Sequence, residues 1–223
     1  MMKIIKATLS ILFVFLFLSN SIIYAEDQME KGIVKLPKPI LKGTVSVEET
    51  IEKRRSVRRY SKKDITLKEV SQLLWAAQGI TGGSGLRAAP SAGATYPLEV
   101  YVVKKDGIFH YSPQDHGLRL IVQGDKREKL KDACWGQGFV AQAPLDIVIS
   151  AVYDRVTSRY GERGIRYTDI EVGHAAENVH LQAVALGLDS VPVGAFKDDE
   201  VSTLLGLSKE EKPIYIIPVG YGE

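Results

Sequence analysis

The apolar and polar positions of this chain change rhythm several times, and each change marks an element. Residues 7–18 form an unbroken run of mostly Ile, Leu, Phe and Val behind Lys3 and Lys6, and Glu26-Asp27 follow it. That is the layout of an export signal ending near Ala25, or of an uncleaved anchor just long enough to span a bilayer. Either reading places the remainder outside the cytoplasmic membrane, periplasmic or extracellular, because the lysines precede the apolar run. Membrane contact is then expected only through this segment, if it stays uncleaved. Residues 26–46, with Pro37, Pro39 and Gly43, keep no apolar period and read as a linker or arm.

From residue 47 onward a single domain to residue 223 is expected. Val47, Ile51 and Arg54 share a helical face, with Glu48-Glu49 in the first turn. A helix is predicted over 67–78, with Thr66 as N-cap, Glu69 as its capping-box partner and Leu67, Val70, Leu73, Leu74 and Ala77 as the apolar stripe. Strands are predicted at 98–103 and 108–111 around a Lys105-Asp106-Gly107 turn, with a third strand or extended connection at 118–122. Asp125 should cap a helix reaching Cys134, and 145–152 should be a strand buried on both faces. The longest helix is expected at 167–186, closed by Gly187. A short strand or loop at 190–196, a helix at 198–205 and a strand at 214–219 complete the chain. An early hairpin among interleaved helices favours an α+β mixed sheet over a doubly wound parallel one.

The 223 residues, 45% hydrophobic and 25% charged, suit one globular domain with a real core. A net charge of +2 gives no overall field toward nucleic acid, and no nucleic-acid partner is expected. With Cys134 as the only cysteine, neither an internal disulfide nor a thiolate metal site can form. Two patterns mislead. Gly83-Ser84-Gly85-Leu86-Arg87-Ala88 follows a helix and runs toward Pro90, whereas a dinucleotide fingerprint follows a strand and opens a helix. Glu171-x-x-His174 and Glu177-x-x-His180 lie on one helix and rotate apart, whereas di-iron pairs come from different helices. No metal is expected, and His174 and Asn178 are read as hydrogen-bonding within the fold.

Three segments carry candidate chemistry. In the basic run 53–59, Arg54 and Arg58 would lie one turn apart if the helix continued, with the Ser56 hydroxyl between them, an arrangement suited to phosphate. Residues 90–97, Pro-Ser-Ala-Gly-Ala-Thr-Tyr-Pro, and 187–196 combine small residues with prolines, so backbone groups can approach a flat ligand. The stretch 54–60, the P-S-A-G-A-x-Y-P loop, Ala185 to Leu188 with Val191 to Gly194, and Pro218-Val219-Gly220 resemble, in order, the motifs of the FMN-dependent nitroreductase family. The wording of the loop, Tyr111-Ser112-Pro113 with His116, and Glu171 to Asn178 as E-x-G-H-x-x-x-N are similar to its azoline dehydrogenase branch.

That resemblance implies a nitroreductase-like α+β fold, a mixed, mainly antiparallel sheet flanked by helices, and a homodimer with the flavin at its interface. It implies FMN held by Arg54, Arg55, Ser56 and Arg58, by Pro90, Ser91, Ala92 and Gly93 (in part from the partner), and by Val193, Gly194 and Ala195 near flavin N5. Arg166-Tyr167 stands where the branch carries a Lys-Tyr pair that handles the substrate proton. The expected activity is hydride transfer through flavin N5 to or from a small nitro, quinone or azoline-like substrate. A flavin carrier without turnover and an exported interaction domain without flavin are the alternatives.

Overall fold

The computed structural model describes residues 32–223, so the expected signal or anchor at 1–25 lies outside the described residues. Seven strands form one sheet in the order β1-β4-β3-β2-β5-β7-β6. They are β1 (Ile33–Lys35), β2 (Leu98–Lys104), β3 (Gly107–Ser112), β4 (Gly117–Gln123), β5 (Leu145–Val152), β6 (Asp189–Ser190) and β7 (Glu211–Gly220). Every strand pair is antiparallel, and the parallel component is a single bridge from Ser56 to Ser190. Among the described residues the α-helices are α1 (Val47–Lys53), α2 (Leu67–Gln78), α3 (Arg127–Ala133), α4 (Gly138–Gln142), α5 (Asp154–Tyr160), α6 (Arg163–Ala185) and α7 (Asp198–Leu205).

The twofold period of β5 explains the layers. Leu145, Ile147, Ile149 and Ala151 point into one core with the stripes of α2 and α6, including Leu73, Leu74, Val172 and Val179. Val148 points into a second core with Leu130 of α3, Val140 of α4, and Val201 and Leu205 of α7. Helices thus cover both faces of the sheet, as its central strands require.

Local signals end the elements where the sequence suggests. Thr66 Oγ1 accepts from the Glu69 N–H, and the Glu69 carboxylate accepts from the Thr66 N–H at 2.7 Å. This reciprocal cap contributes about 1 kcal/mol to α2. Gly187 takes φ +69 after α6, and the Leu188 N–H returns to the Ala183 carbonyl at 2.8 Å. Other boundaries move. Asp125 accepts from the Arg127 N–H but stands one residue before the N-cap, Lys126. Helix α6 begins at Arg163, four residues earlier than its pattern suggests, while α5 and the short α4 were not expected.

The segment read as a linker or arm is docked for part of its length. Ile33 to Lys35 pair with Arg119 to Gly117, Leu36 is buried, and Gln72 of α2 holds both the N–H and the carbonyl of Ile40. His116 bonds Tyr111 through Nδ1 at 2.9 Å, while its Nε2 lies 2.8 Å from the Ser71 hydroxyl and 3.0 Å from the Pro37 carbonyl. The Tyr-x-x-x-x-His spacing therefore serves to fasten the arm to the hairpin.

Candidate functional site

Helix α1 stops at Lys53, and Arg54, its C-cap, already has ψ 121°. Arg54 and Arg58 are therefore not stacked across a helical turn; the segment instead meets the outer edge of β6 at Ser56-Val57 and reaches Gly222 at Tyr60. The Val57 N–H donates to the Ser190 carbonyl at 3.1 Å. The buried Tyr60 hydroxyl shares its hydrogen between the Val57 (2.8 Å) and Pro218 (3.1 Å) carbonyls, which ties the segment to β7. Arg55 folds back and donates to the Glu52 and Arg54 carbonyls. Arg58 lies 5.9 Å from the centroid of Phe139. Among the described residues, none of Arg54, Arg55, Arg58 and Arg59 is within ion-pair distance of a carboxylate. Cations crowded together without counter-charge suit an anionic group such as a phosphate.

Beside this run, Val193 exchanges both backbone bonds with Ile216, which leaves Gly194 and Ala195 exposed with their N–H groups donating to no other described residue. A Cβ placed on Gly194 would meet only the Tyr215 ring, at 3.9 Å. Gln137 Nε2 donates to the Ala195 carbonyl at 3.0 Å and to the Cys134 carbonyl at 2.9 Å, fixing the segment to the turn before α4. Below lies His180, with Nδ1 2.6 Å from Ser190 Oγ and Nε2 unpartnered. Burial, then the Arg54 guanidinium, pulls the His180 ring down to about 4, so it is neutral at ordinary pH.

The second loop is built rather than slack. Gly93, Ala94 and Tyr96 all take positive φ, at 61°, 54° and 47°, and non-glycine residues are rarely held there without a cause. The cause is α5. Arg159 donates to the Gly93 carbonyl at 3.2 Å and Arg155 to the Tyr96 carbonyl at 3.1 Å. A Cβ on Gly93 would come 2.5 Å from the Tyr160 hydroxyl. Ser91 Oγ accepts from the Tyr96 N–H at 2.9 Å, and the Arg87 guanidinium lies 4.8 Å from the Tyr96 ring centroid. Arg155 also pairs with Glu99, as does His110. Burial works against the charge of Glu99, but these hydrogen bonds outweigh it and hold its carboxyl below the usual range.

Of the residues expected to handle a proton, Arg166 is exposed, and Tyr167 sits edge-on to Tyr160, centroids 5.4 Å apart, behind the second loop. Asn178 donates to the Ala76 and Ala88 carbonyls as expected, but His174 is exposed. Gln137, Phe139, Arg155, Arg159 and Tyr160 gave no motif signal, since the contacts that tie each to the candidate segments are distant in sequence.

The candidate residues fall into two separate groups. Arg54 to Arg58 follow Ser190, which pairs with Val219 near the end of β7. Pro90 to Gly93 lead into Leu98, which pairs with Ala151, and Ala151 pairs with Lys212 near the start of β7. Seven residues of strand between Lys212 and Val219 amount to roughly 23 Å. One chain therefore presents the basic run at one end of the central strands and the second loop at the other, with Val193 to Ala195 beside the middle of β7, where Val193 pairs with Ile216.

The model of the nitroreductase family matches residues 51–221, nearly all of the described domain. The chain belongs to the nitroreductase family. A relative from Methanocaldococcus jannaschii, named as a nitroreductase, is 43% identical over 182 residues, covering 79% of this chain and 91% of its own length. A crystal structure of a Ralstonia eutropha protein with the same designation aligns with a TM-score of 0.78 at 30% identity, covering 86% of this chain and 90% of that one. The trifolitoxin-processing protein TfxB of Rhizobium leguminosarum is 29% identical over 138 residues, 57% of this chain and 37% of its own length. Family membership and sheet order agree with the α+β nitroreductase-like fold expected from the motifs.

Proposed function

We propose that this nitroreductase-family oxidoreductase binds FMN at the interface of a homodimer. Arg54, Ser56 and Arg58 would take the phosphate and ribityl oxygens, and the Gly194 and Ala195 N–H groups the flavin edge. Ser91 to Gly93 would come from the partner chain. The observation that carries this reading is the separation of the basic run and the second loop to opposite ends of β7, which a twofold partner would rejoin. The solvent-facing side of α6 is consistent with such a partner. It presents Ile170 and Gly173, and a Cβ at Gly173 would meet nothing within 4 Å, so a second helix could approach closely.

Bound FMN would supply hydride transfer at N5. The chain's own residues would orient the isoalloxazine ring, offer N–H donors at the edge that changes on reduction, and exclude water between the two chains. The substrate is proposed to be a nitro compound, a quinone or an azoline-like ring. The peptide-borne azoline is favoured by the E-x-G-H-x-x-x-N and P-S-A-G-A-x-Y-P wording and by the processing role in the name of TfxB. Export or outer-face anchoring is part of the proposal. It would put the site where nicotinamide donors are scarce, and so favours substrate oxidation with an external acceptor.

Complementation between chains tests the assembly. Arg58→Glu spoils the basic run and Gly93→Val spoils the loop, so each homodimer should lose FMN. Co-expressed, the two chains should form mixed dimers with one intact site, retaining up to half an equivalent of FMN by absorbance. No recovery in verified mixed dimers would refute the shared site. A colourless wild-type protein that FMN does not stabilise thermally would refute flavin binding itself.

A further inference from the structure

Helix α6 carries an acid on its buried stripe. Glu171 is 2% exposed, and neither carboxylate oxygen has a hydrogen-bond partner. Its α6 neighbours Val172 and Ala175 belong to the core. A structural acid at such a place would show an ion pair or a ring of N–H donors; Glu171 shows neither. Gln78, fully buried, also has an unpartnered Nε2, while its Oε1 accepts from Arg87 at 3.1 Å. Arg87 and Ser91 are the groups whose charge and hydroxyl bear on Glu171. Since Ser91 Oγ accepts from the Tyr96 N–H, its own hydrogen is free to turn toward the carboxyl. Burial is the dominant influence and pushes Glu171 up to about 7, with Ser91 and then Arg87 pulling the other way.

We propose that Glu171 is a positioning residue that sets the charge beneath the cofactor-lining loop 90–93: neutral, it tolerates a ligand that gains negative charge on reduction, and ionised, it opposes that charge. The inference rests on the proposed FMN site. It involves proton exchange with solvent and no covalent step. The geometric basis is a buried, unpaired carboxyl whose nearest influences are Ser91 of the loop and Arg87, with the orphaned amide of Gln78 bonded in turn to Arg87, and Arg87 limits how far the ionised form is penalised. Beyond Arg87 stand Glu99 and its partners Arg155 and His110, which face one another, while His174 lies one turn along α6 on the solvent side.

The test is the flavin midpoint potential of the FMN-loaded protein from pH 5.5 to 9, for wild type, Glu171→Gln, His174→Gln and His110→Gln. Wild type and Glu171→Gln should coincide at the acid end and separate above neutrality, with wild type lower. A coupling equal to one tenfold step in proton affinity would leave Glu171→Gln favouring reduced over oxidised flavin about tenfold more than wild type at pH 9. The two histidine variants should follow wild type. Parallel curves, or an offset constant with pH, overturn the proposal. Wild type that retains no FMN overturns the flavin reading and this inference with it, whereas retained FMN with parallel curves overturns this inference alone. Should Glu171→Gln not fold, isotope-edited infrared of the wild-type holoprotein decides instead. A glutamic acid carbonyl band that titrates near neutrality and shifts on flavin reduction supports the role, and a carboxylate already ionised at pH 5.5 overturns it.

Discussion

The buried carboxyl of Glu171 makes a stability prediction independent of any cofactor. Its folded-state value is raised from 4.5 to about 7, chiefly by burial. In the folded protein the group therefore holds its proton more tightly than in the unfolded chain. Folding stability from this group is fully present below pH 4.5, declines as pH rises, and is lost by the time pH has passed about 7. At about 1.4 kcal/mol for each tenfold in proton affinity, the loss is about 3 kcal/mol. Glutamine is close in shape and stays neutral, so Glu171→Gln removes the pH-dependent part. Urea unfolding of both proteins without FMN, at fixed protein concentration and at pH 5, 6, 7 and 8.5, should show the variant gaining on wild type by 2–3 kcal/mol, of order, across that range. The gain should level off above pH 8. A difference that stays constant with pH, or that grows toward acid, would refute the argument, because it would mean Glu171 is already ionised in the fold.

Three further outcomes follow from single contacts. Thr66→Ala removes the reciprocal cap of α2 and should lower stability by about 1 kcal/mol in urea unfolding, with FMN retention unchanged. Tyr60→Phe removes the hydroxyl that holds the Val57 and Pro218 carbonyls; about 1–2 kcal/mol should be lost, and FMN titration should show weaker binding because the basic run is no longer fixed. Cys134 is fully buried and its thiol is pushed up to about 12, first by burial and then by Asp146, so an aromatic disulfide reagent should label it only on unfolding; rapid labelling of folded protein at pH 8 would contradict this.

What could be read in advance follows the range of the forces involved. Helix 67–78 was legible because its cap, its capping-box acid and its stripe are all local, and the helix runs from Leu67 to Gln78 as they indicate. The strand at 145–152 was legible because a strand covered on both faces is apolar at nearly every position. Residues 54–60 misled for the opposite reason. Their helical look is local, but the pairing with Ser190 and the Tyr60 contact to Pro218 come from 130 or more residues away, and those contacts end the helix at Lys53. The same holds for Ile33 to Lys35, three residues that become a strand only because β4 is beside them.

The candidate site divides along the same line. Motif residues could be named from the sequence, yet their separation to opposite ends of β7 depends on sheet order, which no local pattern encodes. Glu171 did leave a signal, an acid set at helical spacing from Ala175 and Val179 on an apolar stripe, but without burial it reads as part of a Glu-x-x-His decoy. The structure reverses that emphasis. His174 faces solvent, while Glu171 is buried with no ion pair, and only the Ser91 hydroxyl and the more distant Arg87 guanidinium offset the cost of its charge. A group whose ionisation is that costly serves packing alone no better than glutamine or methionine would, and the groups that bear on it are the Ser91 hydroxyl and the Arg87 guanidinium. On the proposal above, what the carboxyl contributes is its proton, beside a loop that would line the flavin of a partner chain.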